Sequence, residues 1–211
     1  MTAARVFRWA DIAAVASELR AGALAVLPTD TVPGFSCLVT AAAAFDRVRA
    51  LKQAGTERAF VVLAASAEQI APWLDASQDA RAWRFLATVW PAPLTAVVAT
   101  KPGLPGALAA GMGSTLAVRV PAHEPLRALL AMLDAPLVST SVNAHGGEPL
   151  RRPDSILDEF GTRIDLLVRD DAPGDASPAS TLANCTRWPP QVLRRGAFDL
   201  ESALARHGEP A

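Results

Sequence analysis

The sequence predicts one α/β domain built around a mixed sheet. Three observations carry this expectation. Short apolar runs of strand length alternate with segments of helical period along nearly the whole chain. At 211 residues and 51% hydrophobic content there is ample material for one large core. No internal repeat is present, and no linker divides the chain into two cores.

Taken in order, Ile12, Val15, Ala16 and Leu19 fall at helical spacing with Gly22 as a stop, so an amphipathic helix is expected to open the protein. Two strands follow, Ala23 to Leu27 and Phe35 to Val39, separated by the polar turn Thr29-Asp30-Thr31-Val32-Pro33-Gly34. Thr40 is placed to cap a helix with Ala41, Ala44, Phe45, Val48 and Leu51 on one face and Lys52 at its end. Ala59 to Ala65 reads as a strand, and Ser66 with Gln69 as the capping box of a short helix through Leu74. A further helix runs from about Asp79 to Trp90, stopped by Pro91, and a strand from Leu94 to Thr100.

Lys101 to Ser114 contains Pro102, Gly103, Pro105, Gly106, Gly111 and Gly113, too many breakers for a regular element, and reads as a mobile loop or a lid. Beyond it come a strand (Thr115 to Val120), a helix with proline in its first turn (Pro125 to Leu133) and a strand (Pro136 to Ser141). The loop from Asn143 leads through Arg151 and Arg152 to a helix over Ser155 to Phe160. Strands over Asp165 to Arg169, Ser180 to Cys185 and Gln191 to Arg194 and a helix over Asp199 to Arg206 complete the chain.

Charge and composition remove several classes of function. With 20 Lys+Arg against 21 Asp+Glu the net charge is −1, which excludes a disordered polyelectrolyte. Apolar stretches are broken well before the roughly 20 residues of a membrane span, and Arg8, Asp11 and Glu18 interrupt the N-terminus, so no membrane and a cytoplasmic location are expected. The only cysteines, Cys37 and Cys185, cannot build a disulfide framework and are expected to be buried free thiols. The only lysines are Lys52 and Lys101, and neither sits in a G-x-x-x-x-G-K-[ST] loop, so a nucleotide would have to be held some other way. No G-x-S-x-G or S-x-x-K motif supports a nucleophilic serine. His123, His145 and His207 lie in unrelated contexts and give no zinc site, and no metal ligand is assigned; His123 reads as a helix-opening residue.

Four segments bring hydroxyl, amide and arginine side chains to strand ends: Pro28-Thr29-Asp30-Thr31, Thr115 to Arg119, Ser139-Thr140-Ser141-Val142-Asn143, and Ser180-Thr181. Ligands of α/β sheets bind at such ends, where arginine takes the anionic part. Together they point to a site for an anionic small molecule.

These segments, with Leu51-Lys52-Gln53, Trp90-Pro91-x-Pro93-Leu94-Thr95 and Leu193-Arg194-Arg195-Gly196, occur in an order and spacing that resembles the YrdC/YciO family over roughly residues 8 to 198. The resemblance implies a twisted α/β sheet with a concave basic cavity, in a single YrdC-like domain spanning 1–211, without the second C-terminal domain of longer members. It implies a nucleotidyltransferase, a threonylcarbamoyl-AMP synthase acting in tRNA N6-threonylcarbamoyladenosine formation from L-threonine, bicarbonate and ATP with its Mg²⁺. Partners implied are tRNA or double-stranded RNA and the proteins that finish the tRNA modification. Arg47, Arg49, Lys52, Arg58, Arg151 and Arg152 are the candidates for a local RNA patch.

By similarity Thr31, Arg119, Ser139 and Ser180 hold threonine, with Thr181 the alternative to Ser180. Lys52, Thr115, Ser141, Asn143 and Arg194 or Arg195 contact ATP, and Lys52 and Arg119 act on the reacting groups. Two positions depart from the family pattern. Ala54 stands where a K-x-R motif has its arginine, with Arg58 the nearest substitute, and Pro33 stands where an aromatic residue precedes Gly34. The alternatives left open are a diverged nucleotide- or RNA-binding member and a carbamoyl-adenylate enzyme with another acceptor.

Overall fold

The structure is a computed structural model that describes residues 3–52, 60–104, 114–143, 147–170 and 178–207. The chain opens with a strand, β1 (Arg5–Arg8), where a helix was expected. Its exposed side chains carry no apolar alternation, and it exists because its backbone pairs in parallel with β8 (Leu166–Arg169), a partner about 160 residues away in sequence. A single 3₁₀ turn, held by Asp11 Oδ2 accepting from Arg8 N at 3.0 Å, leads into α1 (Ile12–Arg20), which buries Val15, Ala16 and Leu19 as its spacing requires.

β2 (Ala25–Leu27) and β3 (Gly34–Leu38) pair antiparallel across the polar turn, and α2 (Ala42–Leu51) buries Ala44, Phe45, Val48 and Leu51. Thr40 is not its cap: Ala41 holds that position without a side-chain bond. β4 (Val61–Leu63) precedes α3 (Ala67–Ile70). Ser66 caps nothing there, whereas Gln69 Oε1 accepts from Ala65 N at 2.9 Å. α4 (Ala80–Val89) is capped by Asp79, which accepts from the amides of Arg81 and Ala82, so its carboxyl is held below the ordinary value despite desolvation.

β5 (Leu94–Ala99), β6 (Thr115–Arg119), α5 (Glu124–Leu133), β7 (Leu137–Ser141) and α6 (Pro153–Phe160) follow. His123 opens α5 as expected, with Nδ1 accepting from Leu126 N at 3.2 Å and Nε2 against Asp170 Oδ2 at 2.9 Å. β9 (Thr181–Asn184), β10 (Gln191–Arg194) and α7 (Leu200–His207) end the described chain. Both cysteines are buried and free.

Among the described residues the strands form one mixed sheet in the order β1-β8-β2-β3-β7-β4-β6-β5-β9-β10. One face is mainly apolar: Phe35, Val62, Val98, Leu116 and Val138 pack with Phe45, Phe85 and Phe160 from the helices. Full burial of such side chains contributes roughly 1.5–3 kcal/mol each. The other face is divided. Leu27, Leu38, Leu137 and Leu166 lie under α1 and α5, against Leu19, Leu126, Leu129 and Leu130. Two residues further along β3 and β7, on the same face, stand Ser36 and Ser139 instead of leucines. Across this small, polar half of the sheet runs the candidate site.

Candidate ligand site

A cavity of about 230 Å³ opens at this half of the sheet, with Thr31, Gly34, Arg119, Ser139, Ser141, Ser180 and Arg194 in its lining. Thr29 and Thr31 come from the turn after β2. Thr29 Oγ1 accepts from Thr31 N at 3.1 Å and donates to Val32 O at 2.9 Å. With that proton committed, the 3.2 Å contact between the two hydroxyls has Thr31 as donor. Thr31 Oγ1 in turn accepts from Arg119 Nη1 at 2.9 Å.

Arg119 ends β6 and is 5% exposed. Its Nη2 forms an ion pair with Asp30, and Asp30 Oδ2 also accepts from Ala122 N at 2.9 Å. Burial pushes the guanidinium below its ordinary pKa, and the Asp30 carboxylate opposes that shift. Its Nε–H is buried and has no acceptor among the described residues. A buried donor without an acceptor costs about 1–3 kcal/mol.

Two glycines make room for the hydroxyls. A Cβ on Gly34 would lie 2.3 Å from Ser139 Oγ, which itself accepts from Ser36 Oγ at 3.2 Å. Gly196 runs so close to the Ser180 backbone that a Cβ would stand 2.2 Å from Ala179 O and 2.5 Å from Ser180 C. Ser180 is fixed further by a 2.8 Å hydroxyl contact with Thr95 and by Arg194 Nη2 donating to Ser180 O at 2.9 Å.

Lys52, at the C-terminal end of α2, is 3% exposed. Its Nζ donates to Ser141 O at 2.9 Å, to Asn143 O at 3.2 Å and to Asn143 Oδ1. Ser141 Oγ donates to the same Oδ1 at 2.8 Å. Lys52 therefore fixes the turn that carries Ser141 and Asn143.

Thus the structure brings Thr31, Arg119, Ser139, Ser141, Ser180 and Arg194 to one cavity, with Lys52 and Asn143 directly behind Ser141. Both alternatives within pairs are resolved in placement. Thr181 exchanges hydrogen bonds with the Phe198 backbone at 2.7 and 3.0 Å, and Arg195 pairs with Glu201 at 2.6 Å on the surface, away from the cavity. Ser180 stands just before β9 and Arg194 ends β10, and of each pair only these line the cavity. Thr115 lies four residues before Arg119 on β6 and lines a separate cavity of about 450 Å³ with Thr100, Ser114 and Arg187.

Arg58 and Ala54 lie outside the described residues, as do His145 and most of the loop expected over 101–114. The cavity's charged lining, among the described residues, is Arg119 and Arg194, and the charge of Arg119 is met by Asp30. Arg47 is bound to Asp165 at 2.6 Å, and Arg151 and Arg152 line a neighbouring cavity of about 390 Å³ together with Pro33. Asp30 is the site residue that motif reasoning passed over. Its sequence signal was its position between Thr29 and Thr31; the partner that gives it meaning is 89 residues away.

No helix among the described residues is long and apolar enough to cross a membrane, and none of their His, Cys, Asp and Glu side chains forms a group of three or more that could hold a metal ion.

The family model for Sua5, YciO and YrdC, described as telomere recombination, matches residues 17–196. A threonylcarbamoyl-AMP synthase of Chromohalobacter salexigens is 37% identical over 187 residues, covering 87% of this chain and 96% of its own. One from Idiomarina loihiensis is 35% identical over 163 residues, covering 77% and 87%. Among solved structures, P. abyssi Sua5 complexed with L-threonine superposes with a TM-score of 0.85 at 27% identity, over 99% of this chain and 62% of that one. The chain therefore spans less than two thirds of the length of that relative. E. coli YciO superposes with a TM-score of 0.82 at 23% identity over 95% and 98%. This likeness establishes the shared fold, a large twisted α/β sheet flanked by helices.

Proposed function

The chain belongs to the Sua5/YciO/YrdC family, and from that membership we propose that it is a threonylcarbamoyl-AMP synthase, condensing L-threonine, bicarbonate and ATP for tRNA N6-threonylcarbamoyladenosine formation. The observation that carries the reading is the Nε–H of buried Arg119, without an acceptor among the described residues, beside a small, hydroxyl-lined cavity. Such a cavity suits a short hydroxy amino acid better than an extended or apolar ligand.

In this reading Arg119 takes the amino-acid carboxylate, and the hydroxyls of Thr31, Ser139 and Ser180 orient the rest of the molecule. Ser141 and Asn143, fixed by Lys52, and Arg194 face ATP, which enters as its Mg²⁺ complex. The threonine amine attacks bicarbonate and water leaves to give threonine carbamate; a carbamate oxygen then attacks the α-phosphorus, the bond to the bridging oxygen breaks, and pyrophosphate leaves. This is a nucleotidyl transfer without a covalent enzyme intermediate. The protein's task is to hold two anions together and to offset the charge that develops on the phosphate oxygens. Bicarbonate, a cytoplasmic setting and a tRNA-modifying partner belong to the same reading.

The decisive experiment incubates purified protein with ATP, bicarbonate and a panel of amino acids, and follows pyrophosphate and adenylate. Pyrophosphate formation that needs both threonine and bicarbonate is expected. The replacements at Ala54 and Pro33 favour a second reading, a member that binds nucleotide or RNA without this reaction. Nucleotide binding with no adenylate for any amino acid would select it, and adenylate formed with a different acceptor would reassign the substrate.

A further inference from the structure

Arg119 arrives at the cavity already held at two points. Its Nη2 pairs with Asp30 Oδ1, and its Nη1 donates to Thr31 Oγ1 at 2.9 Å. The Asp30 side chain is only 10% exposed, and its other oxygen accepts from Ala122 N at 2.9 Å, three residues beyond Arg119. The carboxylate is thus tied to the same stretch of backbone that carries the arginine. A long side chain with many rotamers is reduced to one orientation. Among the described residues no acceptor meets Nε–H, on the side-on edge of the guanidinium that it shares with Nη2.

We propose that Asp30 is a positioning residue that turns the Nε edge of Arg119 toward the carboxylate of the bound amino acid and so makes the site read a carboxylate. The inference rests on the amino-acid reading of the cavity given above. The opposite role would have Asp30 occupy the fork as a stand-in that the substrate carboxylate must displace. The geometry speaks against it. Asp30 is anchored through its second oxygen to Ala122, so leaving Arg119 would leave that carboxylate buried beside a new anion.

The amide of Asp30→Asn offers one acceptor oxygen to two donors, Arg119 Nη2 and Ala122 N–H. One of them must then face an NH₂ group. Asp30→Glu keeps charge and both oxygens at a longer reach.

Calorimetry on the full chain with L-threonine and L-threoninamide, alongside thermal melting of each variant, tests the assignment. The parent is expected to prefer threonine strongly. Asp30→Asn should weaken threonine binding about 10- to 100-fold while shifting threoninamide less than about 3-fold, so that discrimination collapses. Asp30→Glu should recover part of the preference, which keeps the test decisive if the Asn variant folds poorly. Equal losses for both ligands would reduce Asp30 to a structural role and overturn the proposal. Tighter threonine binding in either variant would make Asp30 a competitor, which also overturns it. A parent that binds AMP or ATP but neither amino-acid ligand would instead bring down the amino-acid reading, and the proposal with it.

Discussion

Replacing Lys52 by Met removes one ammonium group and leaves the side-chain length nearly unchanged. The structure converts this into a stability prediction. Ser141 O and Asn143 O lose the ammonium as donor, and Asn143 Oδ1 keeps only Ser141 Oγ, in a position where Lys52 is 3% exposed. A buried polar group left unsatisfied costs about 1–3 kcal/mol, and two carbonyls on one short turn relax together, so a total of about 3 kcal/mol is expected. That is a large part of the roughly 5–15 kcal/mol that holds a domain together. For a chain of this size about 2–4 °C of melting temperature accompanies each kcal/mol, so the ligand-free variant should melt about 6–12 °C lower. The assay is thermal and urea unfolding without nucleotide, followed by ATP affinity at a temperature where both proteins are folded. A variant that melts within about 2 °C of the parent yet loses ATP binding would refute the reasoning. Lys52 would then serve chiefly as a phosphate contact and not as the clamp of the Ser141–Asn143 turn.

Arg119→Lys should bind threonine at least about 10-fold more weakly than the parent, as Arg119→Ala does, because an ammonium cannot reach Asp30, Thr31 and a ligand carboxylate in one plane; unchanged affinity by calorimetry would contradict the fork. Gly196→Ala should destabilise by about 1–3 kcal/mol, since its Cβ meets the backbone of Ala179 and Ser180. Gly34→Ala, whose new methyl meets the rotatable Ser139 hydroxyl, should cost less stability but more threonine affinity. The buried thiols of Cys37 and Cys185 are both pushed up to about 12 by desolvation. Thiol reagents at pH 8 should therefore leave the native protein unmodified and react with both after unfolding. The sign of the pH effect follows: unfolded thiols ionise first, so stability is intact below about pH 9 and is lost as pH rises from there toward about 12. Flat stability across that window, measured by urea midpoints, would show that the thiols are more accessible than their burial indicates.

Most of the fold was legible because its elements are locally coded. The 3.6-residue spacing in α1, α2 and α5 and the apolar runs of β5 and β6 state their own structure, and Asp79 and His123 announce the helices they cap. The candidate site was legible in its residue types, since each hydroxyl segment alone reads as a cap or turn and only their repetition with Arg119 at strand ends points to a ligand. What stayed hidden depended on partners distant in sequence. β1 is a strand by virtue of β8, and its own exposed residues carry no period.

The choice between neighbours was likewise closed to sequence. Ser180 over Thr181 and Arg194 over Arg195 turn on where side chains point at a strand boundary, just before β9 and at the end of β10, which no local pattern encodes. Sequence by itself therefore determined the inventory: an α/β core, free buried thiols, and hydroxyl, amide and arginine side chains gathered at strand ends. Tertiary structure alone decided which of those groups meet. It placed Asp30 against Arg119 and turned Lys52 onto the Ser141–Asn143 turn. It also assigned Thr115 to a different cavity. The physical reason is that hydrogen bonds and ion pairs depend on ångström-scale distances between segments that only the packed sheet brings together.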